Sequence, residues 1–136
     1  MAAYIVSLNP KINEKPGALI AIENGTIGFD VKRVFYIYGT QGDINRRGNH
    51  GHTNTTQFIV CLSGETDIET TYRDGSSQMF KLSSPNAGLM LPPFNHIVMN
   101  MKNNAILMVV CDAEFKDEIS YTDKVYYAKF SYPPPS

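Results

Sequence analysis

Residues 67–82 read Asp67-Ile68-Glu69-Thr70-Thr71-Tyr72-Arg73-Asp74-Gly75-Ser76-Ser77-Gln78-Met79-Phe80-Lys81-Leu82. Two runs of strand-like composition, Asp67–Tyr72 and Gln78–Leu82, flank an Asp-Gly pair. Asp and Gly both tolerate positive φ, which a tight turn between antiparallel strands requires. The stretch reads as a β-hairpin, and the same pattern continues on both sides of it. Downstream lie Gly88–Leu91, His96–Met101 and Ala105–Cys111, punctuated by Ser84-Pro85-Asn86 and Pro92-Pro93, with Lys124–Phe130 as a last strand. Upstream lie Gln57–Leu62, Val31–Tyr38, Ala18–Glu23 and Tyr4–Leu8. Asn24-Gly25 predicts a second hairpin, joining Ala18–Glu23 to Thr26–Phe29. No stretch of ten residues carries a 3.6-residue apolar repeat, so the only helix expected is a short one near Glu114–Ile119. Many short strands at close spacing in one small chain give an all-β sandwich or barrel.

The 136 residues form one domain, 1–136, around one core. Tyr4–Leu8 is short and apolar, suited to joining a sheet edge, and Asn9 to Lys15 could carry it to a second copy of the chain. Residues 1–15 are therefore expected to exchange between the subunits of a homodimer. The end, 131–136, holds three prolines and should leave the barrel extended. Twelve basic side chains against 13 acidic ones leave a net charge of −1. That balance excludes a protein whose affinity rests on neutralising the phosphates of a nucleic acid, yet permits one local cationic pocket. No apolar run nears the length needed to span a bilayer, and no secretory signal pattern opens the chain. Cys61 and Cys111 sit inside apolar runs away from any CxxC spacing, so two reduced buried thiols and a cytoplasmic location are expected.

Only three histidines are present, His50, His52 and His96. On a strand, residues two apart share a face, so His50 and His52 project side by side. The local string is Arg47-Gly48-Asn49-His50-Gly51-His52, followed by Gln57 and Gly64; further on come Pro85-Asn86-Ala87-Gly88 and then His96. This layout resembles the two motifs of the cupin superfamily, an RmlC-like jelly-roll β-barrel in which HxH and a later His meet. It is more closely similar to the cupin-type 3,4-ketoisomerases that act on thymidine-diphosphate-linked 4-keto-6-deoxy sugars. Phe29-Asp30-Val31-Lys32-Arg33-Val34-Phe35-Tyr36-Ile37-Tyr38 carries that resemblance together with the HxH string, Gln57, Asp74-Gly75 and Pro85-x-x-Gly88. Two departures stand out: Thr53 replaces the family's basic residue after the second His, and Asn95 replaces an aromatic before the later one.

Cupins commonly use HxH to bind a metal, with a carboxylate a few residues on. Here Thr53-Asn54-Thr55-Thr56-Gln57 offers none, which argues for metal-free acid–base chemistry, although three imidazoles alone can hold zinc. Moving a ketone from C4 to C3 needs proton transfers and no redox cofactor. It requires a base near neutrality and donors for the sugar oxygens. The resemblance puts the catalytic histidines at His50 and His52, and the residues themselves suggest Tyr38 as a donor. His52 is expected to pass the proton between C3 and C4, with His50 in support. Arg33 and Arg47 are the expected diphosphate ligands, since a guanidinium fork suits phosphate oxygens. His96 and Gln57 complete the expected set of substrate contacts. The expectation is a ketoisomerase acting on dTDP-4-keto-6-deoxyglucose without cofactor or metal; the alternatives are a sugar-nucleotide-binding cupin without activity and a cupin epimerase.

Overall fold

A computed structural model describes residues 2–11, 16–40 and 46–122. Among them the chain runs β1 (Tyr4–Ser7), α1 (Asn24–Ile27), β2 (Arg33–Ile37), β3 (Arg46–His52), β4 (Gln57–Thr71), β5 (Ser77–Leu82), β6 (Ala87–Leu91), β7 (His96–Cys111), a 3₁₀ turn (Phe115–Asp117) and β8 (Ser120–Tyr121). All strand pairings are antiparallel, as an all-β chain joined by tight turns requires. The expected strand Lys124–Phe130, the tail 131–136 and part of the crossing segment 9–15 lie outside the described residues.

Two strands organise everything else. β4 and β7 pair from Gln57↔Cys111 to Thr71↔His96, so the expected pairs Gln57–Leu62/Asp67–Tyr72 and His96–Met101/Ala105–Cys111 are each one long strand. Both are bent midway. Bulges lie between Cys61 and Ser63 and between Ser63 and Glu65. Gly64 sits at φ +71°, where a Cβ would come within 2.7 Å of the Lys102 carbonyl. Asn103 and Asn104 opposite also adopt positive φ, which Asn tolerates better than most residues. One half of the bent sheet runs β1-β6-β4-β7-β2 and the other β5-β4-β7-β3-β8. Their inner faces close on one core that includes Ile59, Leu89, Leu107 and Val109 from the first half and Ile68, Phe80, Ile97 and Met99 from the second.

The Asp74-Gly75 hairpin forms as expected, with Thr71 opposite Ser77. The Asn24-Gly25 hairpin does not. Asn24–Ile27 is one helical turn, opened by Glu23 N–H donating to Thr26 Oγ1 and closed by Gly28 at φ +79°. The Asn24 carboxamide reaches on to Asp30 and to the Val31 N–H. Tertiary packing explains the difference. Phe58, Val60, Met90 and Val110 present a second apolar face on the outside of the first half-sheet, and Ile20, Ile22, Ile27, Phe29 and Val31 cover it. Full burial of one such side chain is worth about 1.5–3 kcal/mol, so buried Ile27 together with the partly buried Ile20, Ile22, Phe29 and Val31 outweighs local hairpin preference. Gly88 lies flat under the Phe58 ring, leaving no room for a Cβ.

β1 pairs with β6 of its own chain, Tyr4 opposite Met90 through Ser7 opposite Ala87. Cys61 and Cys111 are buried free thiols. No helix among the described residues is long and apolar enough to cross a membrane.

Candidate active site

A cavity of about 320 Å³ opens between β2, β3, β4, β7 and the segment after the 3₁₀ turn. Strand alternation on β2 sends Arg33, Phe35 and Ile37 into it. Its floor is apolar, from Ile59, Ile97, Met99 and Val109.

β3 supplies the polar side, and its irregularity matters. Arg47 and His50 are three residues apart, which on a regular strand would put them on opposite faces. Gly48 (φ +93°) and Asn49 (φ +59°) form a bulge, so Arg47 lies opposite Met99 and His50 opposite Ile97. Met99 and Ile97 share a face, and Arg47 therefore joins His50 and His52 at the cavity. Gly48 also allows close approach, since a Cβ there would fall 2.9 Å from the Ile97 carbonyl.

The two histidine rings meet edge to face with centroids 5.0 Å apart. Their surroundings differ sharply. His52 is buried. Its Nδ1 is 3.2 Å from Ser120 Oγ and 3.9 Å from Glu118 Oε2, and its Nε2 is 3.5 Å from the Gln57 amide nitrogen. Burial, with smaller contributions from the neighbouring His50 and Arg33, lowers its pKa from 6.5 to about 4. His52 is therefore a neutral imidazole near pH 7. His50 is half-buried and lines the same cavity, and among the described residues its ring makes no hydrogen bond.

Gly51 between them carries the C-terminal segment against the pair. A Cβ there would stand 2.6 Å from the Tyr121 ring and 2.8 Å from the Asn95 carbonyl. β8 pairs with β3 at Gly51↔Tyr121 and His52↔Ser120. Thr53 N–H donates to the Ile119 carbonyl, and the Asn54 side chain binds both the Asp117 carbonyl and the Ile119 N–H. These bonds bring Glu118 into the cavity, a residue the sequence reading missed. Its side chain is only 4% exposed, and it holds Arg33 at 3.0 Å. Arg33 is also packed over the Phe35 and Phe115 rings, at 4.5 and 5.0 Å. Phe115, itself 72% exposed, stands at the mouth.

Of the expected site residues, His50, His52, Arg33, Arg47 and Gln57 therefore meet in one cavity. Two do not. Tyr38 is on the outer side of the sheet, 69% exposed and stacked on Tyr36 at 6.1 Å. Val34, Tyr36 and Tyr38 do share a face, but the inward phase of β2 is taken by Arg33, Phe35 and Ile37. His96 is buried away from the pair, with Nε2 3.1 Å from the Thr122 carbonyl and its ring beside Tyr121. Ile97 takes the cavity face, so its neighbour His96 points the other way. The three imidazoles consequently do not converge, and no cluster of three ligating side chains suited to a metal occurs among the described residues. Asn95 and Thr53 are both held in protein hydrogen bonds: Asn95 Oδ1 accepts from Thr70, and its amide donates to the Pro92 carbonyl.

Known proteins resemble this chain over nearly its whole length. The family model described as "FdtA: WxcM-like, C-terminal" matches residues 2–131. A TDP-4-oxo-6-deoxy-alpha-D-glucose-3,4-oxoisomerase from Aneurinibacillus thermoaerophilus is 36% identical over 113 residues, 82% of this chain and 79% of that protein. A histidine-to-asparagine variant of the 3,4-ketoisomerase QdtA from Thermoanaerobacterium thermosaccharolyticum, solved with TDP-4-keto-6-deoxyglucose, superimposes with a TM-score of 0.83 at 26% identity, covering 93% of this chain and 91% of that one. The TDP-fucose-3,4-ketoisomerase WlaRA from Campylobacter jejuni gives 0.82 at 26% identity, with 95% of each chain covered. The dTDP-6-deoxy-D-glucose-3,5-epimerase RmlC from Legionella pneumophila, at 14% identity and a TM-score of 0.70 over 88% of this chain and 71% of that one, shares the jelly-roll fold. The bent antiparallel sheet, the HxH pair on a bulged β3 and the match over residues 2–131 lead to one assignment: the chain belongs to the FdtA/WxcM-like family of cupins.

Proposed function

We propose that this chain is a nucleotide-sugar 3,4-ketoisomerase, converting dTDP-4-keto-6-deoxyglucose into a dTDP-3-keto-6-deoxyhexose. The observation that carries the reading is the pairing of two unlike histidines in a cavity edged by Arg47, in a chain 36% identical to a 3,4-oxoisomerase.

The C3 hydrogen is acidified by the C4 carbonyl. A base removes it, and the electrons move to O4 to give an enediolate. The same proton carrier then delivers a proton to C4, while O3 loses its proton and O4 gains one. His50 suits the carbon-bound proton, because it faces the cavity with no competing protein hydrogen bond among the described residues. His52 suits the transfer between O3 and O4, because it is buried, neutral and held on both ring nitrogens. That order reverses the sequence-based expectation. Protein groups accomplish each step, and the reading requires neither metal nor cofactor.

Arg47, exposed at the cavity edge, is the diphosphate ligand in this reading. Arg33 is already engaged by Glu118, so it shapes the pocket wall and adds a weaker field. We further propose a cytoplasmic homodimer. In it β1 would keep its register on β6 while being exchanged with a second copy, in place of the pairing within one chain. Light scattering at micromolar concentration is expected to give twice the monomer mass; a monomer removes the exchange.

Incubation with dTDP-4-keto-6-deoxyglucose followed by proton NMR tests the activity. A new 3-keto sugar is expected. Unchanged sugar, or inversion with the ketone still at C4, contradicts the proposal.

A further inference from the structure

We propose that Glu118 is a positioning residue for His52: its charge, 3.9 Å from Nδ1 and behind the Ser120 hydroxyl, favours the Nδ1–H tautomer and is the negative charge against which that ring takes up a proton. The proposal deepens the ketoisomerase reading and rests on it for its catalytic consequence.

The tautomer follows from the partners. The Gln57 amide nitrogen can only donate, so His52 Nε2, 3.5 Å away, is the acceptor. The remaining proton is then on Nδ1, which faces Ser120 Oγ at 3.2 Å and Glu118 Oε2 at 3.9 Å. A lone pair on Nε2 is what a residue accepting a proton from a sugar hydroxyl needs. When it does so, the ring becomes a buried cation. Among the described residues Glu118 is the carboxylate within 4 Å of it, and its own side chain is almost fully enclosed.

Arg33 plays the complementary part. Its guanidinium binds Glu118 Oε1 at 3.0 Å and so fixes Oε2 toward His52. Among the described residues, besides Glu118, the charged and titratable groups around His52 are His50 and Arg47 on β3, Arg33 on β2, and Cys111 on β7 beyond Gln57. The first three disfavour a cation when they are charged, and the thiol is neutral because burial pushes it up to about 11. Glu118 is thus the one nearby anion among the described residues that favours protonated His52. A base, a group that orients it and a charge behind it make the arrangement recognised in hydrolytic triads, although here the proton moves between two sugar oxygens.

Histidine side-chain ¹H–¹⁵N correlation spectra of the unmodified protein at pH 7 read the tautomer directly, without substrate. The expected pattern for His52 is a proton on Nδ1 and a bare Nε2. Glu118→Gln keeps the shape and removes the charge. It is expected to redistribute that tautomer, to lower the His52 pKa further and to reduce kcat by roughly tenfold or more with KM within about twofold. A proton found on Nε2 in the unmodified protein overturns the proposal, whatever the variant does. So does a folded Glu118→Gln protein with the tautomer, kcat and its pH profile unchanged. Because the tautomer needs no substrate, its failure is separate from a failure of the ketoisomerase reading.

Discussion

β2 and β3 both carry runs expected to build the site, and they deliver their residues differently. β2 is regular over Arg33–Ile37, so its alternation is strict, and Val34 and Tyr36 face out with Tyr38 beyond the strand's end. β3 carries an extra residue at Gly48-Asn49, so Arg47 and His50 share a face that strict alternation denies them. A period of two says which residues go together. It does not say which group goes inward, and it fails where a bulge inserts a residue. Predictions that break the bulge, or move side chains across the two faces of β2, sharpen this contrast.

The largest effect is expected from deleting Asn49. Regularising β3 moves either Arg47 or the histidine pair to the other face. Misplacement of reacting groups by an ångström or so costs about 100-fold in rate, and turnover by the deletion variant should fall by at least that much. Retained activity would show that the bulge does not set the site.

Titration of His52 comes next. Its folded pKa of about 4 lies below the unfolded value of 6.5, so the unfolded chain binds the extra proton more readily in that window. Stability should be full above pH 6.5 and fall as the pH drops toward 4, by about 3 kcal/mol from this group alone. Urea unfolding at pH 7 and pH 4.5 measures the slope. His52→Asn should remove most of this contribution; an unchanged slope would mean that the ring titrates normally.

The smallest effect is expected on the outer face of β2. Tyr38→Phe removes a hydroxyl that is exposed and outside the cavity, so turnover should stay within about twofold. A loss of 100-fold would return Tyr38 to the chemistry.

Much of this was legible in the chain itself, for physical reasons that differ by residue. The Asp74-Gly75 turn is set by local φ preference, and the HxH pair by strand alternation. The 3₁₀ turn at Phe115–Asp117 falls inside the short helical stretch expected at Glu114–Ile119. The Asn24-Gly25 pair carries the same local signal, but there the demand to cover Phe58, Val60 and Val110 prevails. Glu118 was invisible because its role comes from long-range pairing. It meets Arg33 across 85 residues of sequence, and nothing in its neighbours marks it as buried. His96 shows the converse: its spacing after Gly88 suggests a shared site, yet the alternation that points Ile97 into the cavity turns its own ring away.

The central claim is that the two histidines divide the protons, His50 taking the one on carbon and His52 the one on oxygen. Incubating dTDP-4-keto-6-deoxyglucose in D₂O with each single Asn variant, and following deuterium at C3 by NMR, tests it most directly. His50→Asn should neither exchange the C3 hydrogen nor form product, with turnover down by roughly 100-fold or more. His52→Asn should still exchange at C3 while product formation slows. Exchange that persists in His50→Asn and vanishes in His52→Asn would contradict the account.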